Sequence, residues 1–177
     1  MLGAQHRTEV YVVGLDEVER AVGEVVSVLD TCSVLDVSIA LPLYLLSEKV
    51  SERFDVLITG QGADELFGGY ERYERTDNVA ACMVNDLNGV LERGVLRDKK
   101  VADVWGITLE MPYLSPIVMR AALSISFELK LKRTGSDVVR KYVLRRAALP
   151  YLPKDVAHRK KHALQYSTGL MLSLIHI

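Results

Sequence analysis

The sequence predicts an α/β domain with a small parallel sheet and a mostly helical carboxy-terminal half. Two short, apolar, β-rich segments, Glu9–Val13 and Phe54–Ile58, have the composition of buried strands, and two helical patterns lie between them. A helical connection lets two strands pair in parallel through a right-handed crossover. We therefore expect Glu9–Val13 and Phe54–Ile58 to be neighbouring parallel strands.

The hydrophobic periodicity becomes wholly helical after Tyr70. Before it, apolar residues recur on one helical face over Asp16–Leu29, and a second pattern covers Asp36–Arg53. In the second helix we expect Ser38 to be the cap and Pro42 to lie near the first turn. The other predicted elements are helices at Asn78–Glu92, Leu96–Trp105, Ser115–Ser124 and Ser136–Leu149, and a short extended segment at Glu128–Lys132.

Length and composition favour one globular domain over residues 1–177. Apolar residues make up 49% and charged residues 25% of the chain, and no apolar run reaches the roughly 20 residues of a membrane span. Cys32 and Cys82 are far apart and the four histidines lack ligand spacing, so neither a disulfide framework nor a zinc site is expected. The first residues lack a secretion signal, which predicts a cytoplasmic location.

Charge is unevenly distributed, although the formal net charge is −1. Residues 1–75 hold 14 acidic residues and 6 Lys or Arg, whereas residues 130–161 hold 2 acidic residues and 11 Lys or Arg. The basic segment is either a solvated face or an anion-binding wall that would suit a triphosphate with its magnesium. Its only aromatic residues are Tyr142 and Tyr151, which argues against nucleic-acid binding.

The segment Asp55–Tyr70 places a strand, a glycine-bracketed turn and two carboxylates in succession. Thr59–Gly62 would leave the carboxyl end of the strand, where ligands bind in open α/β sheets. Glycines let backbone N–H groups approach an anion, and Asp64 and Glu65 follow on the next turn, where a carboxylate can bind Mg²⁺ or cap the turn. Neither the dinucleotide fingerprint nor a Walker-type loop is present. The glycine turn by itself is therefore either an ordinary strand–turn–helix connection or a nucleotide site of another kind.

The segment Thr59–Tyr70 resembles the signature of the asparagine synthetase family, Gly-x-Gly-x-Asp-Glu-x-Phe-Gly-Gly-Tyr after a small hydroxyl residue. Three more segments follow in the family's order. Trp105–Leu114 is similar to Gly-x-Glu-x-Arg-x-Pro-Phe-Leu-Asp, and Arg140–Arg145 and Arg159–Lys161 resemble the family's late helix and basic loop. The resemblance implies an ATP-pyrophosphatase-type fold, like that of the adenine nucleotide alpha hydrolases. It also implies ATP and Mg²⁺ as cofactors and amide formation through an acyl-adenylate.

The same resemblance implies roles for the residues of the signature. Thr59, Gly60 and Gly62 would contact ATP. Asp64 would bind Mg²⁺ and pyrophosphate, with capping of the turn as its alternative role. Glu65 would take part in catalysis or, with equal support, only orient the loop.

Two lysines of the basic segment complete the implied site. Lys161 matches the family's lysine in the basic loop and would neutralise charge on the leaving pyrophosphate. Lys141 lies four residues before Arg145, and both phosphate binding and ordinary solvent exposure remain open for that pair. We expect Lys161 and Asp64 to approach the same anion from opposite sides, because Mg-pyrophosphate satisfies both sets of charges.

Departures from the family pattern leave the acceptor open. Gln61 replaces a glutamate at a catalytic position, and its amide keeps hydrogen bonding but cannot act as a base. Thr108, Glu110 and Ser115 replace Glu, Arg and Asp, and Glu110 cannot pair with a carboxylate. The main hypothesis is amide formation from aspartate and ammonia. The alternatives are a β-lactam synthetase-like enzyme with another acceptor, or an inactive remnant or interaction domain.

Two parts of the family's architecture have no recognisable counterpart in the sequence. These are the Ser-Gly-Gly-x-Asp-Ser pyrophosphate loop and the glutamine-hydrolysing domain with its cysteine nucleophile. We therefore expect a domain that is incomplete at its amino terminus, a glutaminase domain or subunit as partner, and little ATP–pyrophosphate exchange by the isolated chain. Residues 170–177 are either a short amphiphilic helix or a non-native terminus.

Overall fold

The computed structural model describes residues 9–135 and 137–159, in which helices dominate and strands are short. The α-helices are α1 (Leu15–Leu29), α2 (Val34–Val50), α3 (Ala63–Phe67), α4 (Val79–Gly89), α5 (Val95–Asp103), α6 (Pro116–Ser124), α7 (Phe127–Lys130), α8 (Tyr142–Ala148) and α9 (Lys154–Ala157). The strands are β1 (Val56–Ile58), β2 (Thr108–Glu110), β3 (Lys132–Thr134) and β4 (Asp137–Val139). Two 3₁₀ turns, Glu71–Glu74 and Pro112–Leu114, and a π-helical segment, Val90–Gly94, complete the description.

Helices α1 and α2 pack against each other and against α5. Their contact is the largest hydrophobic cluster of the described residues, and its buried members are Val18, Ala21, Val25, Val37, Ala40, Leu41, Tyr44, Leu45 and Val101. The ring of Trp105 meets that of Tyr44 edge to face at 5.6 Å. Within the described residues no single helix is long and apolar enough to cross a membrane, although α1 and α2 together would pass on length and composition, with a bend of 113° between them.

Strand β1 pairs with β2 in parallel, with Leu57 opposite Leu109. The prediction of a parallel sheet in a mostly helical chain is therefore confirmed. The predicted partner, however, was wrong. Glu9–Val13 has no strand structure, and its side chains at Val10 and Val12 are 80% and 87% exposed.

The reason for this error is that β propensity describes a side chain's fit to a pleated surface and does not supply a hydrogen-bonding neighbour. Glu9–Val13 is held instead by a surface ion pair from Arg53 to Glu9, at 2.7 Å. On β1 itself, Val56 and Ile58 remain exposed. Among the described residues, the parallel sheet consists of β1 and β2 alone.

Most of the predicted helices are confirmed with small shifts of their ends, and three local predictions were wrong. Ser33 rather than Ser38 caps α2, accepting a hydrogen bond from Asp36 N at 3.3 Å, so Pro42 lies in the helix interior. The segment predicted as extended at 128–132 is mostly helix α7. The helix predicted over 136–149 begins only at α8, because its β-branched start forms strand β4, antiparallel to β3.

Candidate functional site

The turn after β1 is fixed by backbone geometry. Thr59 N donates to the carbonyl of Glu110 at 2.9 Å, which extends the pairing of β1 and β2 by one residue. Gly62 has φ +90°, and a Cβ there would overlap Leu114 Cδ2. Both the backbone conformation and the close packing therefore require glycine at this position.

Helix α3 holds Asp64 and ends in two glycines. Gly68 closes the helix in the left-handed region, with φ +73°, and Gly69 N donates to the carbonyl of Asp64 at 2.8 Å. A Cβ on Gly69 would overlap the Asp64 carboxylate and lie 2.6 Å from Lys141 Cε. Gly69 therefore makes room for the approach of these two side chains. Gly69 was not among the predicted site residues, although the Gly-Gly pair of the signature was a visible signal.

The Asp64 carboxylate and the Lys141 ammonium meet at the point that Gly69 leaves open. Lys141 Nζ lies 3.0 Å from Asp64 Oδ1, and both side chains are largely buried. Lys141 has φ +54°, a left-handed conformation that is costly for a side chain, and it directly precedes α8. The structure thus brings together Asp64, predicted to bind metal, and Lys141, for which the sequence left phosphate binding and solvent exposure open. A carboxylate beside a cation is an arrangement that can bind the phosphates and metal of a nucleotide.

Glu65, the neighbour of Asp64, is tied to a different set of groups. It is 5% exposed, and the Tyr70 hydroxyl donates to its Oε1 at 2.5 Å. Burial raises the pKa of the Glu65 carboxyl. Tyr70 in turn stacks under the guanidinium of Arg72, at 4.1 Å from the ring centre, and Arg72 pairs with Asp86 at 2.6 Å. These contacts favour the loop-orienting role of Glu65 over a catalytic one.

Gln61 lies beside the π-helical segment Val90–Gly94. A Cβ on Gly94 would lie 3.2 Å from Gln61 Nε2, so the absence of a side chain at Gly94 leaves room for the amide. π-helical turns are rare and occur often at functional sites. The sequence analysis missed Gly94, because a π turn has no pattern that separates it from an α-helix.

At the end of β1, Thr59 has a buried hydroxyl oxygen and Gly60 has open space beside its backbone. Thr59 Oγ1 is buried and has no hydrogen-bond partner among residues 9–135 and 137–159. Most buried polar groups are hydrogen-bonded, so such an atom at a strand's carboxyl end is suited to a ligand. Gly60 is exposed, with open space where its Cβ would stand. Both features fit a nucleotide that lies against this turn.

The donor set decides how a magnesium ion would be held. Among the described residues, no group of three or more His, Cys, Asp or Glu side chains is placed to bind a metal. Mg²⁺ is commonly held by one or two carboxylates together with substrate phosphates and water. Asp64 fits that mode as the one protein carboxylate, and a site made of protein ligands alone does not fit.

The remaining predicted residues lie at the sheet edge or outside the described part. Thr108 and Glu110 occupy the two ends of β2, beside β1, and both are exposed. Lys161 lies outside the described residues, as does the stretch 170–177, so the approach of Lys161 to Asp64 stays a prediction. The nearest described residue of the basic loop is Arg159.

Comparisons with known proteins agree with the signature. The family model described as asparagine synthase matches residues 1–84 and 74–173. The chain is 30% identical to glutamine-hydrolyzing asparagine synthetase 1 of Lotus japonicus, over 98% of the chain and 30% of the relative. It is also 30% identical to glutamine-hydrolyzing asparagine synthetase 3 of Arabidopsis thaliana, over 98% of the chain and 31% of the relative.

A third relative gives the same result. The chain is 30% identical to a glutamine-hydrolyzing asparagine synthetase of Sandersonia aurantiaca, over 92% of the chain and 31% of the relative. The chain thus spans about a third of the length of the curated relatives it matches. Because the family model covers nearly all of the sequence, we conclude that the chain belongs to the asparagine synthase family.

Proposed function

We propose that this chain carries the ATP site of an enzyme that forms asparagine from aspartate through an aspartyl adenylate. The observation that carries the proposal is the contact of Asp64 with Lys141 at 3.0 Å, over Gly69 and at the carboxyl end of β1. A triphosphate with its magnesium needs a carboxylate for the ion and a cation for the phosphates. The family membership supports the same assignment.

Each side chain has a task in this proposal. The Thr59 hydroxyl and the backbone at Gly60 and Gly62 bind ATP at the end of β1. Asp64 holds Mg²⁺, which when bound supplies charge neutralisation for the phosphates. Lys141 releases Asp64 when the nucleotide binds and pairs with a phosphate oxygen instead.

The chemical step that we propose transfers AMP to the carboxylate of aspartate. An aspartate oxygen attacks the α-phosphorus, the bond to the bridging oxygen of pyrophosphate breaks, and pyrophosphate leaves with the electron pair. Lys141 and Lys161 stabilise the charge that develops on it. Ammonia then attacks the acyl carbon and displaces AMP, and a proton leaves the new amide nitrogen. The names of the relatives describe glutamine hydrolysis, so a glutaminase domain or subunit is the proposed source of ammonia.

Gln61 and Glu110 support a second candidate, an adenylating enzyme with a different acceptor. A neutral amide at 61 cannot take the proton that ammonia loses. Glu110 is exposed at the end of β2, one strand away from the turn, where its negative charge would repel a carboxylate substrate. Both features leave adenylation intact and change the molecule that is activated or the nucleophile that attacks.

The test uses this chain joined to the amino-terminal part of a relative, because the isolated chain is expected to show little ATP–pyrophosphate exchange. Product formation with ATP, Mg²⁺, aspartate and ammonia is measured as asparagine, AMP and pyrophosphate in equal amounts. Asp64→Asn should abolish all three products, because the amide cannot bind Mg²⁺ as a carboxylate does. Asp77→Asn is the matched control, since Asp77 is an exposed carboxylate that takes no part in the contacts described above. AMP without asparagine would favour the second candidate, and neither product, with no binding of Mg-ATP, would contradict the proposal.

A further inference from the structure

Arg145, in helix α8, makes an unusual set of contacts. Its Nε donates to the carbonyl of Arg140 at 2.8 Å, and its Nη1 donates to the carbonyls of Ala157 and Arg159, each at 2.9 Å. The guanidinium therefore bridges the start of α8 and the chain that follows α9. Two hydrogen bonds of normal length hold residues 157–159, and the third ties the guanidinium to Arg140.

Arg145 makes these contacts without a neutralising partner among the residues that the structure describes. In residues 9–135 and 137–159 no carboxylate pairs with it, whereas the neighbouring Arg140 pairs with Glu74 at 3.3 Å. Burial and the positive charge of Arg140 lower the pKa of Arg145. A half-buried charge that binds only carbonyl groups is costly for the fold. Such a residue is expected where a planar fork of donors is needed to hold backbone in place.

One helical turn links Arg145 to the site. Arg145 N donates to the carbonyl of Lys141 at 2.9 Å, and the Lys141 side chain meets Asp64. At its other end, Arg145 holds Arg159, and Lys161 follows two residues later in the sequence. The basic loop therefore begins at a point that Arg145 fixes relative to Lys141.

We propose that Arg145 is a positioning residue that anchors the start of the basic loop to helix α8, which Lys141 directly precedes. It does not contact the nucleotide itself, and it acts through the backbone of residues 157–159. This inference rests on the proposed ATP site for its functional consequence, while the anchoring itself depends only on the three hydrogen bonds. It assigns a role to a residue for which the sequence left solvent exposure open.

The first experiment measures backbone amide hydrogen exchange over residues 154–159 in Arg145→Lys and in the matched control Arg146→Lys. A lysine keeps the charge but cannot donate to three carbonyls in one plane. Exchange at these amides should become about tenfold faster in Arg145→Lys and stay unchanged in Arg146→Lys, which alters an exposed side chain. Unchanged exchange in Arg145→Lys, or equal acceleration throughout the chain, would overturn the proposal.

The second experiment measures the Kd for Mg-ATP by calorimetry in the same two variants. Arg145→Lys should weaken binding about tenfold, with the thermal midpoint nearly unchanged, whereas a purely structural role would leave the Kd as it is in the original chain. Local acceleration of exchange with an unchanged Kd would contradict the link to the site. If the original chain binds no Mg-ATP, the proposed function fails, and the exchange comparison alone decides whether Arg145 anchors the loop.

Discussion

The signature Thr59–Tyr70 and the extended segment Glu9–Val13 were both expected at the same small sheet, yet the structure treats them in opposite ways. In the signature, glycines, carboxylates and a tyrosine are packed so closely that one added methyl group would overlap Asp64. In the segment, two valines project into solvent, and no strand of the described part of the chain lies beside them. A segment takes up a defined structure when its residues pack against one another, as they do in the signature. β propensity alone is not sufficient.

The largest effect expected from this comparison is that of Gly69→Ala. Its methyl group would overlap the Asp64 carboxylate, so we expect a loss of about 3 kcal/mol in the free energy of unfolding and no measurable Mg-ATP binding. Denaturant unfolding and calorimetry measure the two quantities. Gly23→Ala is the control, because open space surrounds its Cβ position in α1 and alanine favours the helix. A Gly69→Ala variant as stable as Gly23→Ala would contradict the close packing of Gly69 against Asp64.

Tyr70→Phe should give the next largest effect. It removes the donor to the buried Glu65 carboxylate, so the free energy of unfolding should fall by about 2 kcal/mol at neutral pH. Tyr151→Phe removes a hydroxyl from an exposed ring and should change nothing measurable. Equal stabilities for these two variants would mean that the Glu65 contact does not help to hold the signature.

Lys130→Met tests the packing next to Glu65 of the signature and should stabilise the fold. Lys130 is 2% exposed and lines a cavity of about 130 Å³ together with Glu65, and its Nζ lies 5.3 Å from the Phe127 ring centre. Burial lowers the pKa of Lys130, because desolvation disfavours the charged ammonium. At pH 7 the buried ammonium is a cost, and Lys130→Met should raise the free energy of unfolding by about 1 kcal/mol.

The sign of the pH dependence follows from that lowered pKa. As pH rises through the folded-state pKa, the lysine loses its charge, and the stability of the original chain approaches that of Lys130→Met. The difference in the free energy of unfolding between Lys130→Met and the original chain should therefore shrink steadily up to the ordinary lysine pKa of 10.5. Urea unfolding at several pH values measures it, with the exposed Lys132→Met as control. If the stability difference between the original chain and Lys130→Met grew with pH, it would contradict a lowered pKa of Lys130.

Val12→Ser should have the smallest effect, less than about 0.5 kcal/mol, because its side chain is already in water. Val25→Ser is the matched comparison, since Val25 is fully buried between α1 and its neighbours. This substitution should lower the free energy of unfolding several times more. Similar losses for the two valines would show that Glu9–Val13 is packed in solution and would erase the contrast on which the comparison depends.

Sequence reasoning succeeded where the signal was local. The helices α1, α5 and α6, the strand β1 and the turn after it follow from periodicity, caps and glycines within a few residues. The signature also predicts Asp64 as a site residue, and that role stays a prediction. Local signals were sufficient because each of these features is completed by neighbours in the chain.

What could not be predicted depends on distant contacts. The pairing of β1 with β2 joins residues about 50 positions apart, and no pattern in either strand identifies its partner. The left-handed Lys141 and the carbonyl contacts of Arg145 are set by packing of α8 against α3 and α9. Helical periodicity over 136–149 concealed both, since it assigned Lys141 to the middle of a helix.

The most direct test of the central claim is a double-mutant cycle on Mg-ATP affinity with Asp64→Asn, Lys141→Met and the combined variant. If both side chains act on one Mg-triphosphate, each single change should weaken binding by about tenfold or more, and the combined loss should be well below the product of the two. Independent, fully multiplicative losses, or a Kd that none of the three variants changes, would contradict a shared phosphate and metal site at Asp64 and Lys141.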